Sequence, residues 1–251
     1  MATKAVKRVK TATKASPASR QNGTVRSVES VAMADRRARI LQVAAKRFAE
    51  YGFAATTVRE IADDVNILSG SLYHHFATKE EMLHEIVREP ARRMREQTLR
   101  IAKLPVDAEH RLVALILLDL GELTRNPEAH RILYNERKLF RRSSEFNYVT
   151  KSKKDVYQAW QGVLRDGVKA KLFKLDIDPY LTVFTTLRML NTAADWYNTE
   201  DESVLDVIGA HDLDRVVDFY LGFILGAVRS PTRGAAPIPR QKCEQLAQFG
   251  A

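Results

Sequence analysis

The chain predicts an all-α protein: an N-terminal three-helix helix-turn-helix domain followed by a larger C-terminal helical bundle. Three observations predict it. Apolar residues recur at helical spacing from Ile40 onward, no segment alternates as a half-buried strand would, and Pro, Gly and Asn separate the periodic segments by short links. At 251 residues, with 45% hydrophobic and 28% charged, the chain can bury a core and suits a small module joined to a larger one.

Residues 1–33 read as a disordered basic tail. Residues 1–30 hold seven Lys or Arg against the single acid Glu29, so +6 of the +9 formal charge lies there, in a segment rich in Ala, Ser and Thr and without aromatics. Such a segment buries too little surface to offset its chain entropy, and a mobile basic arm adds phosphate contacts that do not depend on base sequence.

Residues 34–80 form the helix-turn-helix unit. Ile40, Ala44 and Phe48 give the first helix, Ala34 to Tyr51, one apolar face that stops at Gly52. Thr57 caps a short helix carrying Val58, Ile61, Ala62 and Val65; Asn66 suits a left-handed turn; Ser69 then caps a brief segment whose Leu72 and Phe76 face inward. Thr78-Lys79-Glu80-Glu81 reads as a capping box, and Pro90 is expected to kink or divide the helix that follows.

Residues 81–230 read as the second domain. Asp107 opens a helix with Leu112, Leu115, Ile116 and Leu120; Asn126-Pro127 opens one through Ile132, Leu133 and Leu139; a third runs from Phe146 to Leu172; Asp178-Pro179 opens a fourth; and Leu213 to Val228 is the fifth. Residues 231–251 are expected to be a flexible tail.

The most specific signal is the string Thr57-Val58-Arg59-Glu60-Ile61-Ala62, then Ile67-Leu68-Ser69-Gly70-Ser71-Leu72-Tyr73-His74-His75-Phe76, then Lys79 and Leu83. Over about Ala38 to Val87 the chain resembles the TetR family of one-component transcriptional regulators, with Asn66 where a Gly is common. The resemblance implies a DNA-reading domain, a divergent helical domain that binds a small ligand, and a homodimer on a palindromic operator.

On that reading Thr57 and Lys79 hold phosphates at helix termini, and Arg59 reaches a base. Ser69, Gly70 and Ser71 are small enough to let the recognition helix sit deep in the groove, while Tyr73, His74 and His75 crown its outer face. The module is not basic overall, with eight Lys or Arg and nine Asp or Glu from Asp35 to Glu89, so binding rests on placed contacts. The segment Ile67 to Leu83 looks most similar to actinobacterial regulators of steroid and fatty-acid catabolism, which implies a hydrophobic or acyl-CoA effector.

Tyr134, Tyr157, Trp160, Phe184, Met189 and Trp196 are the candidate pocket residues, and Tyr220, Gly222, Ile224 and Gly226 on the last helix the candidate dimer contacts. Arg137, Lys138, Arg141, Arg142, Lys151, Lys153 and Lys154 form either a solvated face or a seat for coenzyme A phosphates.

Other classes find little support. No phosphate loop, zinc-protease or serine-hydrolase motif is present, and the six histidines supply only the adjacent pair His74-His75, which diverges on a helix, so no enzyme, metal or cofactor is expected. The lone Cys243 excludes an internal disulfide, and the apolar runs Leu112 to Leu118 and Leu221 to Val228 are too short to span a bilayer, so no membrane partner is expected and a cytoplasmic setting fits. The chief rival is an architectural protein that grips DNA without sequence preference through its basic arm.

Overall fold

The computed structural model describes residues 18–174, 176–197, 211–231 and 237–248, and among these the chain is helical throughout, with no strand. The order is α1 (Ala18–Tyr51), α2 (Val58–Asp64), α3 (Ser69–Leu72), α4 (Lys79–Ala102), α5 (Ala108–Arg125), α6 (Pro127–Asn135), α7 (Arg137–Arg142), α8 (Asn147–Lys169), α9 (Pro179–Trp196), α10 (Leu213–Val228) and α11 (Arg240–Ala247).

Local chemistry sets most boundaries. Thr57, Asp107, Asp178 and Asp212 each accept a backbone N–H in the first turn of α2, α5, α9 and α10, satisfying donors that a helix start leaves free. Asn66 takes φ 58° between α2 and α3, the left-handed conformation its short amide tolerates.

Two apolar cores result. The first joins Ile40, Ala44, Phe48, Ile61, Leu72 and Phe76 to Leu83 and Val87 of α4, and continues into Ile132, Phe140, Phe146 and Val149. The second surrounds α5, whose Leu112 to Leu118 run is buried on all sides, with α4, α8, α9, α10 and α11 packed against it. Helix α4 serves both cores, so the two domains share an element rather than meeting at residue 80.

Five expectations are corrected. Helix α1 begins at Ala18, inside the segment read as disordered, since extending an established helix costs far less than nucleating one, even through Asn22, Gly23 and Thr24; residues 1–17 lie outside the described residues. Of the two outcomes expected at Pro90, division is ruled out: α4 continues through it as one helix packed on two cores, although the missing N–H costs the Ile86 carbonyl its partner. The cap of α3 is Leu68, without a side-chain hydrogen bond, and Ser69 is its first residue. The helix from Pro127 stops at Asn135, where Glu136 (ψ 32°) separates α6 from α7. Finally, the tail after 230 contains α11: Cys243 is fully buried, and Arg240 bonds Asp218 of α10 at 2.5 Å and also pairs with Asp214.

One glycine is indispensable for packing. A Cβ on Gly167 would lie 2.0 Å from Cδ2 of Phe173, a fully buried ring that folds back over the end of α8. Gly167→Ala gains helix propensity but forces that ring out, so a net loss of roughly 1–3 kcal/mol is expected, read as a lower melting temperature. An unchanged or raised melting temperature would show that the ring moves at no cost.

Candidate functional site: a helix-turn-helix face and a polar-ended cavity

The first half of the site is the surface of α2 and α3. Gly70 is exposed with no atom within 4 Å of where a Cβ would stand, Tyr73 is 56% exposed and the Arg59 side chain 85% exposed, held only loosely by Asp63 at 3.9 Å. Ser69 and Ser71 are half-buried, His74 is exposed and His75 half-buried with its Nδ1 unpartnered. Arg59, Gly70, Tyr73 and His74 are thus open to solvent, while Ser69, Ser71 and His75 are partly covered. Sequence reasoning missed Leu68, which is 79% exposed at the tip between α2 and α3; its apolar type in a turn was the available signal.

Thr57 caps α2 as expected but has its hydroxyl engaged on both sides, and Lys79 bonds the protein's own backbone. The Thr57 hydroxyl donates to Glu60 at 2.8 Å and accepts from the Glu60 amide at 3.2 Å, so it is committed to a capping box. Lys79 donates to the carbonyls of Phe53 and Thr56, each at 2.7 Å, with the Phe53 ring 4.3 Å away. Its ammonium thus staples the α1–α2 turn to the start of α4. Neither partner was visible locally, because both lie in the fold rather than in the motif.

The second half is a cavity of about 880 Å³, open mouth included, between α4, α5, α6, α8 and α9. Pro90, Ala91, Met94, Leu133, Val149, Val156 and Leu187 give it apolar walls. Of the six expected pocket residues, Tyr134 and Tyr157 line it. Trp160 is instead a fully buried core ring, Met189 and Trp196 pack against the second core, and Phe184 is 44% exposed on the outer face of α9. Counting aromatics finds bulk, and the bundle spends most of its bulk on packing.

The polar lining was missed. Asp119, His130 and Asn191 are all buried, from α5, α6 and α9; Asp119 Oδ2 lacks a hydrogen-bond partner, and the His130 ring and the Asn191 amide lie within reach of each other. The available signal was Asp119 itself, a carboxylate set directly after the apolar run Leu112 to Leu118 of α5. Burial pushes the Asp119 carboxyl up to about 7, with the Glu122 charge adding, and burial pulls the His130 imidazole down to about 4. Glu122 is not free; Arg93 pairs with it at 2.7 Å and Arg125 at 3.3 Å.

Nearer the solvent the lining turns cationic. Lys153 bonds the Leu133 carbonyl, and burial with the neighbouring Arg137 and Arg188 charges lowers its ammonium to about 8. Arg188 lies 5.6 Å over the Tyr134 ring, whose hydroxyl donates to the Leu187 carbonyl at 3.0 Å. Exposed Arg137 also lines the cavity, and Lys138, Arg141, Arg142, Lys151 and Lys154 are exposed on or near α7, while Lys153 turns inward.

The two halves touch through named groups. Glu136, beside Arg137, accepts a hydrogen bond from the Phe53 amide at 2.7 Å, and α4 carries Lys79 at one end and the cavity wall Pro90–Met94 further along. Among the described residues no group of three or more His, Cys, Asp or Glu could hold a metal ion, and no helix is long and apolar enough to cross a membrane.

With this geometry in place, comparison with known proteins is decisive. Residues 40–86 match the model of bacterial regulatory proteins of the tetR family, and residues 105–227 match the tetracyclin repressor-like C-terminal domain. The chain belongs to the TetR family. Among TetR-family relatives it is 34% identical to the HTH-type transcriptional repressor KstR2 of Rhodococcus jostii over 196 residues, 78% of this chain and 92% of that one. The structure of the ketosteroid transcriptional regulator KstR2 of Mycobacterium tuberculosis superposes with a TM-score of 0.69 at 31% identity, covering 78% of this chain and 95% of that one. At 22% identity the fold alone is shared with AibR, solved with isovaleryl coenzyme A and operator DNA, at a TM-score of 0.62 over 76% of this chain and 99% of that one.

Proposed function

We propose that this TetR-family protein is a cytoplasmic, non-enzymatic repressor that binds a palindromic operator as a homodimer and leaves it when an amphipathic, acyl-CoA-type effector enters the cavity. The KstR2 relatives suggest steroid or lipid catabolism as its setting. The observation that carries the reading is the cavity itself: apolar walls, the buried ammonium of Lys153 and a cationic mouth at Arg137 and Arg188, seated on the helix whose first residue holds the DNA-reading unit. An acyl group would lie within, and the anionic remainder would stay at the mouth among the α7 cations.

Dimerisation is read on α9 and α10, with Gly222 and Gly226 on the shared surface as expected but Tyr220 and Ile224 turned inward. Tyr220 and Ile224 are buried within the subunit, where the Tyr220 hydroxyl donates to the Met189 carbonyl at 3.3 Å. Gly222 and Gly226 are exposed with nothing within 4 Å, beside Phe219 (63% exposed) and Phe223 (58%), and Tyr180, Leu181 and Phe184 are exposed on α9. Five large apolar side chains left uncovered on two neighbouring helices support a two-fold four-helix interface. Such an interface would present two α3 helices to half-sites roughly 34 Å apart.

Release is read as a population shift: an effector that favours a different setting of α4 and of the Glu136–Phe53 bond biases both DNA-reading units at once. Footprinting on the promoter of the protein's own gene tests the proposal. A protected palindrome that is lost on adding a coenzyme A thioester is expected; uniform protection would favour an architectural protein, and a monomer in light scattering would overturn the dimer.

A further inference from the structure

We propose that the inner end of the cavity is a neutral hydrogen-bonding site for an uncharged oxygen, a hydroxyl or ketone at the far end of the effector's hydrocarbon part. The inference rests on the effector reading above and specifies which molecules satisfy it.

Asp119, His130 and Asn191 come from three different helices, are buried and line one cavity; Asp119 Oδ2 has no partner, while the His130 ring and the Asn191 amide lie within reach of each other. A buried polar atom left without a hydrogen bond is destabilising, and a purely hydrocarbon occupant would leave Asp119 Oδ2 with none. The Asn191 amide nitrogen already donates to the Leu187 carbonyl, which fixes its free oxygen as the acceptor. A ligand hydroxyl can donate to Asn191 and accept from a protonated Asp119; a ketone can accept from Asp119 alone.

A charged inner group fits badly. A carboxylate would join Asp119 and Glu122 in a site whose acids already repel one another. An ammonium would enter a cavity whose lining includes Arg137, Lys153 and Arg188, while Glu122 is already paired with Arg93 and Arg125. Burial also holds both titrating members toward their neutral forms, Asp119 up at about 7 and His130 down at about 4, so near pH 6 they act as uncharged partners.

The test uses the full chain near pH 6 and coenzyme A thioesters of straight acyl chains from about eight to about fourteen carbons, each with and without a terminal hydroxyl. Affinity is measured by direct titration and by operator release. At the length that places the oxygen at Asp119, the hydroxylated thioester is expected to bind about tenfold more tightly, and the ratio should fall to about one in Asp119→Leu and in Asn191→Leu. Two variants guard against one failing to fold. Thioesters that release the operator with no preference at any length would overturn this inference and leave the proposed function standing. A preference that persists in both leucine variants would overturn it as well. Failure of every thioester to bind would overturn both.

Discussion

Gly70→Glu is expected to abolish operator binding while leaving the fold as it is. Gly70 is the second residue of α3, exposed, with an ordinary backbone conformation and open space where a Cβ would stand, so a longer side chain meets no neighbour. A carboxylate in the first turn also suits the helix dipole, which keeps the change in stability within about 0.5 kcal/mol. Against DNA the same side chain is doubly unfavourable. It fills the gap that lets α3 approach the groove, and it carries negative charge toward phosphates.

Losing even one base contact of roughly 1–3 kcal/mol per half-site, twice over in a dimer, lowers affinity by about thirtyfold or more. Fluorescence anisotropy on the footprinted palindrome, with a melting curve on the same sample, reads both quantities. Retained binding would mean that α3 does not face the groove.

The contrast between Gly70 and Lys79 shows which parts of the site the sequence reveals. Gly70, Asn66 and the Thr57 cap are governed by neighbours within a few residues, so the string itself states their conformation. Lys79 is governed by carbonyls at Phe53 and Thr56, and Glu136 by the amide of Phe53, distances in sequence across which a linear pattern says nothing. The all-helical architecture was legible because periodicity is local. The break at Glu136 was not, since the turn is held by a tertiary hydrogen bond rather than by Gly or Pro.

The same division explains the cavity and the last helix. Large aromatics were the obvious candidates for a pocket, yet Trp160 is consumed by the core, and the polar residues that distinguish the cavity occur singly on α5, α6 and α9. On α10 the apolar pattern runs nearly all the way round, so the sequence alone does not separate Tyr220 and Ile224, which face the subunit's interior, from Phe219 and Phe223, which do not.

Asp119→Asn is expected to stabilise the protein increasingly as pH rises. The groups around Asp119 are Glu122 on its own helix, Arg93 from α4 through its pair with Glu122, His130 and Tyr134 from α6, Lys153 and Tyr157 from α8, and Arg188 from α9. Burial dominates, raising the carboxyl to about 7 in the folded state, against about 3.9 for an unfolded Asp. The folded state therefore binds more protons between those values. Stability from this group is fully present below about pH 4 and is lost as pH rises through 7.

His130 runs the other way. With its imidazole lowered to about 4 from an ordinary 6.5, its contribution is present above about pH 6.5 and lost as pH falls through 4. Comparing Asp119→Asn with the parent chain cancels this opposing slope, because His130 is common to both. The difference in unfolding free energy should be near its minimum at pH 4, grow through pH 7, and level off near pH 8 after changing by on the order of a few kcal/mol. Denaturant unfolding at a series of pH values measures it. A difference that stays constant from pH 4 to 8 would mean that Asp119 ionises at its ordinary value and that the inner end of the cavity is wetter and more polar than its burial implies.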